Sequence, residues 1–161
     1  MTESHAGAEE EGQQAMTVLI VVGAHLRAEI GDRPLAYKVR EQINDWAEEH
    51  ESALRDPIIG IVCCDVWYLN NTELHRHPVI SVGGPGVNAL SAYFSDKLTS
   101  ALVRDEKLII QLDPEFVDLR SCIWGMDHDF TVEAVELFLR RYLAGYMEAV
   151  ATQVEPGSGG E

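Results

Sequence analysis

Several polar segments of this chain carry residue types able to do chemistry, and they directly follow apolar runs. The sharpest is Gly83-Gly84-Pro85-Gly86-Val87-Asn88, between a short apolar run and an amphipathic one. Glycines such as Gly84 and Gly86 let a backbone turn sharply and approach a ligand, and free amides at a following helix start attract anions. This predicts an anion or phosphate pocket involving Asn88. The competing expectation is a tight turn in which Asn88 merely caps the helix. No Gly-Lys-Ser/Thr follows, and the spacing is not G-x-G-x-x-G.

Arg27 and Arg33 follow the first apolar run and are able to pair with an anionic ligand, or with neighbouring Glu29 and Asp32. Asp127-His128-Asp129 follows the last short run and, with His75 and His77, offers imidazole and carboxylate ligands for a divalent cation. Pro78 disturbs the geometry of that histidine pair, and Asp before a helix is an ordinary cap, so no metal ligand is assigned. Cys64-Asp65 at a strand end, with a histidine nearby, suits a thiol nucleophile and base, against the alternative of a buried, inert strand cysteine. No G-x-S-x-G elbow is present, and Trp67 and Trp124 read as packing residues. The candidate ligand-binding residues are therefore Gly84, Gly86, Asn88, Arg27, Asp127 and His128, with no catalytic residue and no identifiable cofactor.

The elements that must position these residues follow from patterning. Met16–Gly23 (MTVLIVVG) and Pro57–Cys64 (PIIGIVCC) are apolar and β-branched, as in strands buried on both faces. Between them, after a polar connection over Ala24–Gly31, Asp32 is placed to cap a helix with Pro34 in its first turn. Leu35, Val39, Ile43 and Trp46 share one face of that helix, to about His50. Residues 65–78 permit either a strand extension through Trp67 and Leu69 or one helical turn. Val79–Gly83 is a short third strand, and a helix follows from about Asn88 to Leu98 with Leu90, Phe94 and Leu98 inward. Ala101–Val103 and Lys107–Leu112 form a hairpin around Arg104-Asp105-Glu106, and Ser121–Met126 is a last strand. Phe130–Val150 is a long helix, with Thr131 as cap, Phe130 and Val135 as a staple, and Glu133 at the positive end of the dipole. The order predicts an α/β three-layer αβα sandwich, Rossmann-like, with a mixed sheet: a parallel core and an antiparallel hairpin at one edge. In such sheets ligands bind beyond the carboxyl ends of the parallel strands, where the segments after Gly23, Cys64, Gly83 and Gly125 are expected to converge.

Composition bounds the rest. The 161 residues suit one domain, assigned to residues 16–151, with acidic or Gly-rich disordered tails at 1–15 and 152–161. The net charge is −15, from 27 acids and 12 bases, and only six of the acids lie in the termini. Such a chain repels phosphate backbones and anionic lipid heads, which argues against nucleic acid and membrane as partners. A basic partner protein or a homo-oligomer fits better. Three cysteines, two adjacent, do not make a disulfide framework, and the polar N-terminus is not a signal peptide, so a cytoplasmic location is expected.

Val79–Asn88 (VISVGGPGVN) resembles the GGP-x-x-N strand-turn-helix of archaeal S-layer-type α/β surface domains. Ile123–Leu139 (IWGMDHDFTVEAVELFL) is similar to a later strand, Gly, two polar residues and helix of the same domains. The two pieces cover under a fifth of the chain. The resemblance implies a structural or self-associating α/β module without catalysis. The chain departs from the family in lacking a signal peptide and a surface-anchoring segment. The expected function is a non-catalytic protein-interaction or small-ligand-binding module. The alternative is an enzyme acting on a small phosphate- or carboxylate-bearing substrate at the strand-end crevice, with or without a metal.

Overall fold

The computed structural model describes residues 15–153. The proposed tails thus lie almost wholly outside the described residues. Six strands form one sheet in the order β2-β1-β3-β6-β5-β4. They are β1 (Met16–Val22), β2 (Ile58–Cys64), β3 (Val79–Val82), β4 (Ser100–Arg104), β5 (Leu108–Gln111) and β6 (Arg120–Gly125). β2, β1, β3 and β6 run parallel, and β5 and β4 add antiparallel pairing at one edge. This is the mixed α/β sheet that the residue patterning predicts.

Helices cover both faces. α1 (Arg33–Glu49), α4 (His128–Arg141) and α5 (Leu143–Thr152) pack on one face, where Ile20, Ile80, Ile123, Val39, Phe138 and Tyr146 meet in the main core. Two short helices, α2 (Asp65–Leu69) and α3 (Ala89–Phe94), lie on the other face over Leu19, Val21, Val79 and Cys122. β1 is apolar except at Thr17 because neighbours flank it on both sides and helices cover both its faces.

Local chemistry explains the boundaries. Pro34 sits in the first turn of α1, where an amide would have no partner. α1 ends as His50 stacks on Trp46 and donates from Nδ1 to the Trp46 carbonyl at 2.8 Å. Asp105 and Glu106, with φ of 55° and 56°, turn the β4–β5 hairpin in the doubly left-handed geometry that matches strand twist.

Several expectations are corrected. β2 is an edge strand, so Ile59 and Ile61 are exposed rather than buried on both faces. Asp32 caps nothing: one π turn (Ala28–Asp32) runs directly into α1 and turns the carboxylate inward. The helix after Asn88 stops at Phe94, and the ambiguous 65–78 stretch is α2 followed by a 3-10 turn, Thr72–Arg76. The long last helix breaks at Tyr142 into α4 and α5. Its cap is Asp127, which accepts from the Phe130 amide at 2.9 Å. Thr131 is buried instead, its hydroxyl donating to the Asp127 carbonyl, and Glu133 pairs with Arg104 at 2.9 Å.

Candidate functional site

The register places the carboxyl ends of the parallel strands side by side: Val22 opposite Cys64, Val21 opposite Ser81, and Val82 opposite Ile123. The loops that leave these ends touch one another. Gly31 lies against His128, where an added Cβ would come within 3.1 Å of Nδ1, and Gly84 lies against Trp124. The expected convergence is present.

Its centre is filled by the protein itself. β1 and β3 are neighbours, and their chains leave in different directions there, the position at which doubly wound sheets open a ligand crevice. Asp65, the first residue after β2, reaches into this position and is 5 % exposed. Its Oδ1 accepts from the Ala24 amide at 3.1 Å and from Val66 at 2.7 Å. Its Oδ2 accepts from the Ala89 amide at 2.7 Å. One carboxylate thus ties together the loop after β1, the start of α2 and the start of α3. Charge-assisted bonds of this kind are about twice as strong as neutral ones.

Asn88 completes the closure. Its Nδ2 donates to the carbonyls of Val21 and Val82, at 3.2 and 2.9 Å, and its Oδ1 accepts from Leu90 and Ser91. Beneath it Ser91 donates to the Gly83 carbonyl at 2.6 Å, so Ser81, 2.8 Å away, must donate to Ser91. The amides that open α3 therefore have internal acceptors. An anion at this turn would compete with Asp65 and Asn88 for them.

A second carboxylate lies beside this centre. Asp32 is 7 % exposed and makes no hydrogen bond through its side chain among the described residues. It packs against Gly83, whose φ of 112° favours glycine and whose missing side chain leaves room for the carboxylate. Burial pushes the Asp32 carboxyl up to about 6, while His128 and then Arg27 pull it partly back. Both basic residues are exposed, so a buried acid lies beneath basic side chains that reach solvent.

Exposed apolar side chains are interleaved with these charged ones. Leu26 and Ile30, one helical turn apart, are 70 % and 72 % exposed, and Met126 after β6 is 69 % exposed. Val66 and Trp67 at the start of α2 are also about half exposed. The segments that carry them are linked, because Val66 and Ala24 share Asp65 Oδ1 and Gly31 lies against His128.

The predicted residues fall as follows. Arg27 and His128 meet around Asp32. Asn88 is buried and Asp127 caps α4. Gly84 accepts from the Val87 and Asn88 amides to close the turn, and Gly86 is exposed with open space beside it. His75 stacks on Tyr68 and lies 2.9 Å from its carbonyl, turned away from any ligand set. Among the described residues no cluster of three His, Cys, Asp or Glu side chains is placed to hold a metal ion. Cys64 is half-buried at the strand end, whereas burial raises the Cys63 thiol to about 11 and the Cys122 thiol to about 12.

Residue types alone missed two roles. Asp65 is a clamp rather than the partner of a reactive Cys64, and Asp32 is a buried carboxylate rather than a cap. The usable signal for Asp65 was an acid placed directly at the end of an apolar run in a fold whose strand ends meet. No helix among the described residues is long and apolar enough to cross a membrane. No family model matches the chain, and no curated protein or solved structure matches it.

Proposed function

We propose that this chain is a non-catalytic α/β interaction module that binds another protein, or a second copy of itself, through its strand-end face. The carrying observation is the exposed apolar set Leu26, Ile30, Val66, Trp67 and Met126 around a centre already filled by Asp65 and Asn88. Exposed apolar patches of this kind mark interaction surfaces on soluble domains. The net charge of −15 disfavours nucleic acid and anionic membrane as the partner. The S-layer-type resemblance supports self-association, and a Rossmann-like sheet in the cytoplasm is the setting this function assumes.

The test is a double variant, Leu26→Asp with Ile30→Asp, compared with wild type by sedimentation velocity and by quantitative capture from cells that express the chain. An oligomer or a stoichiometric partner lost in the variant, at unchanged melting temperature, supports the proposal. A wild-type protein that stays monomeric and captures nothing above background removes it.

One observation favours a second function, an enzyme acting on a small anionic substrate at the same face. Burial pushes the Asp32 carboxyl up to about 6 beneath His128 and Arg27, within the range of an acid–base group. A thermal-shift screen of phosphate- and carboxylate-bearing metabolites, with and without divalent cations, tests it. The expected sign is a saturable shift that Asp32→Asn or Arg27→Ala abolishes. Flat responses remove it.

A further inference from the structure

A cleft of about 440 Å³ lies between the end of α1 and the beginning of β2, away from the strand tips. Clefts of this size hold small ligands or anchoring side chains. Ala47, Leu54, Pro57 and Ile58 supply its apolar lining, Glu48 and Glu51 its acidic margin, and Arg55 a single basic side chain. Ile58 turns toward α1 into the main core, so the next side chain, Ile59, faces the other side of the sheet and is 43 % exposed. The edge itself is guarded: Asn44, another lining residue, accepts from the outward Gly60 amide at 3.0 Å. An incoming chain cannot pair along β2 through that position without displacing Asn44, so the cleft suits a side chain more than an added strand.

Charge selects the occupant. Residues 45–56 hold Asp45, Glu48, Glu49, Glu51 and Asp56 against one base, Arg55. Arg55 is paired with Asp56 at 3.3 Å. Asp45, Glu48, Glu49 and Glu51 enter no ion pair among the described residues. The chain's own start is a poor occupant. Ala15 borders the cleft, but residues 1–14 carry four Glu and no Lys or Arg, which would meet like charge. We infer that this cleft docks a basic segment of a partner protein, with one large apolar side chain seated between Ala47 and Leu54 and flanking Lys or Arg residues facing Glu48 and Glu51. This second surface is distinct from the strand-end face and does not depend on it.

The experiment uses the full chain and a fluorescent peptide alternating Lys with Leu, followed by anisotropy. The same peptide with Ser in place of Leu is the control for the anchor. Glu48→Lys with Glu51→Lys is compared with Glu73→Lys with Glu115→Lys, which changes net charge equally but elsewhere. The Lys/Leu peptide is expected to bind, more weakly as salt rises. The cleft reversal should weaken it at least about tenfold, Leu54→Ser about fivefold, and the distant reversal less than about twofold. The Leu26→Asp, Ile30→Asp variant should bind it normally, which separates failure of this inference from failure of the strand-end proposal. Equal loss in both charge reversals, equal binding of the Ser peptide, or no binding overturns the inference. Binding that arises only after deletion of residues 1–14 also overturns it, by making the chain's own start the occupant.

Discussion

The Asp65 carboxylate accepts the Ala89 amide at 2.7 Å, across 24 residues of sequence, while its other oxygen accepts the Ala24 amide. The position where a doubly wound sheet would seat a ligand's anionic group is thereby taken by an anionic side chain of the same chain. The closure is part of the fold's stability, and it leaves the apolar surroundings as the outward feature of this face.

Asp65→Ala should destabilise the fold by about 3 kcal/mol, since three amides lose a charged acceptor in a buried setting. Asp65→Asn should cost about 2 kcal/mol, because a carboxamide turns donors toward at least one of those amides. Denaturant titration measures both. A change below about 0.5 kcal/mol in Asp65→Ala would mean the clamp contributes nothing.

Asn88→Ala should cost about 2–4 kcal/mol by the same titration, because it orphans two strand-end carbonyls and removes the cap of α3. Asn88→Asp keeps the cap but faces a carboxylate toward the Val21 and Val82 carbonyls. It should therefore be no more stable than Asn88→Ala at neutral pH and should recover on acidification. An Asn88→Asp protein as stable as wild type at neutral pH would contradict the assigned orientation of the carboxamide.

Asp32 should make stability fall as pH rises. Its carboxyl titrates at about 6 in the fold against an ordinary 3.8. Between these values the folded state keeps a proton that the unfolded state has released, so stability declines through this window and levels off above it. Asp32→Asn should flatten that part of the profile and stabilise the protein at neutral pH by up to about 3 kcal/mol, with little effect near pH 4. A variant less stable than wild type at neutral pH would show that the carboxylate is instead favourably bound.

The cysteines should react unequally. Cys63 and Cys122 are buried with raised thiol pKa values, and Cys64 is half-buried at the strand end. Alkylation of the folded protein at about pH 8, followed by peptide mass analysis, should modify Cys64 first and the others only on unfolding. Equal labelling of Cys122 would contradict its place in the core.

Much of the fold was legible because single-element signals are local. β1 reads as buried from its β-branched run, α1 from its 3.6-residue stripe after Pro34, and the β4–β5 hairpin from its polar turn. What was not legible depended on neighbours. Ile58–Cys64 has the apolar composition of a central strand, yet its place at the edge is set by strand order, which no local pattern encodes. Thr131 is cap-like in type, but Asp127, one turn earlier, places its own side chain on the Phe130 amide. The site behaved alike. The loops were identified from where apolar runs end, but the occupant of their meeting point came from Asp65, whose partners Ala24 and Ala89 are 41 and 24 residues away.

The most direct test of the filled strand-end centre is anion rescue. In Asp65→Gly the Ala24 and Ala89 amides lose their shared acceptor, so formate or inorganic phosphate should restore part of the lost melting temperature in a saturable way. The same anions should leave wild type unchanged. Saturable stabilisation of wild type by phosphate, undiminished in the variant, would contradict the account, because the anion would then bind without need of the place that Asp65 holds.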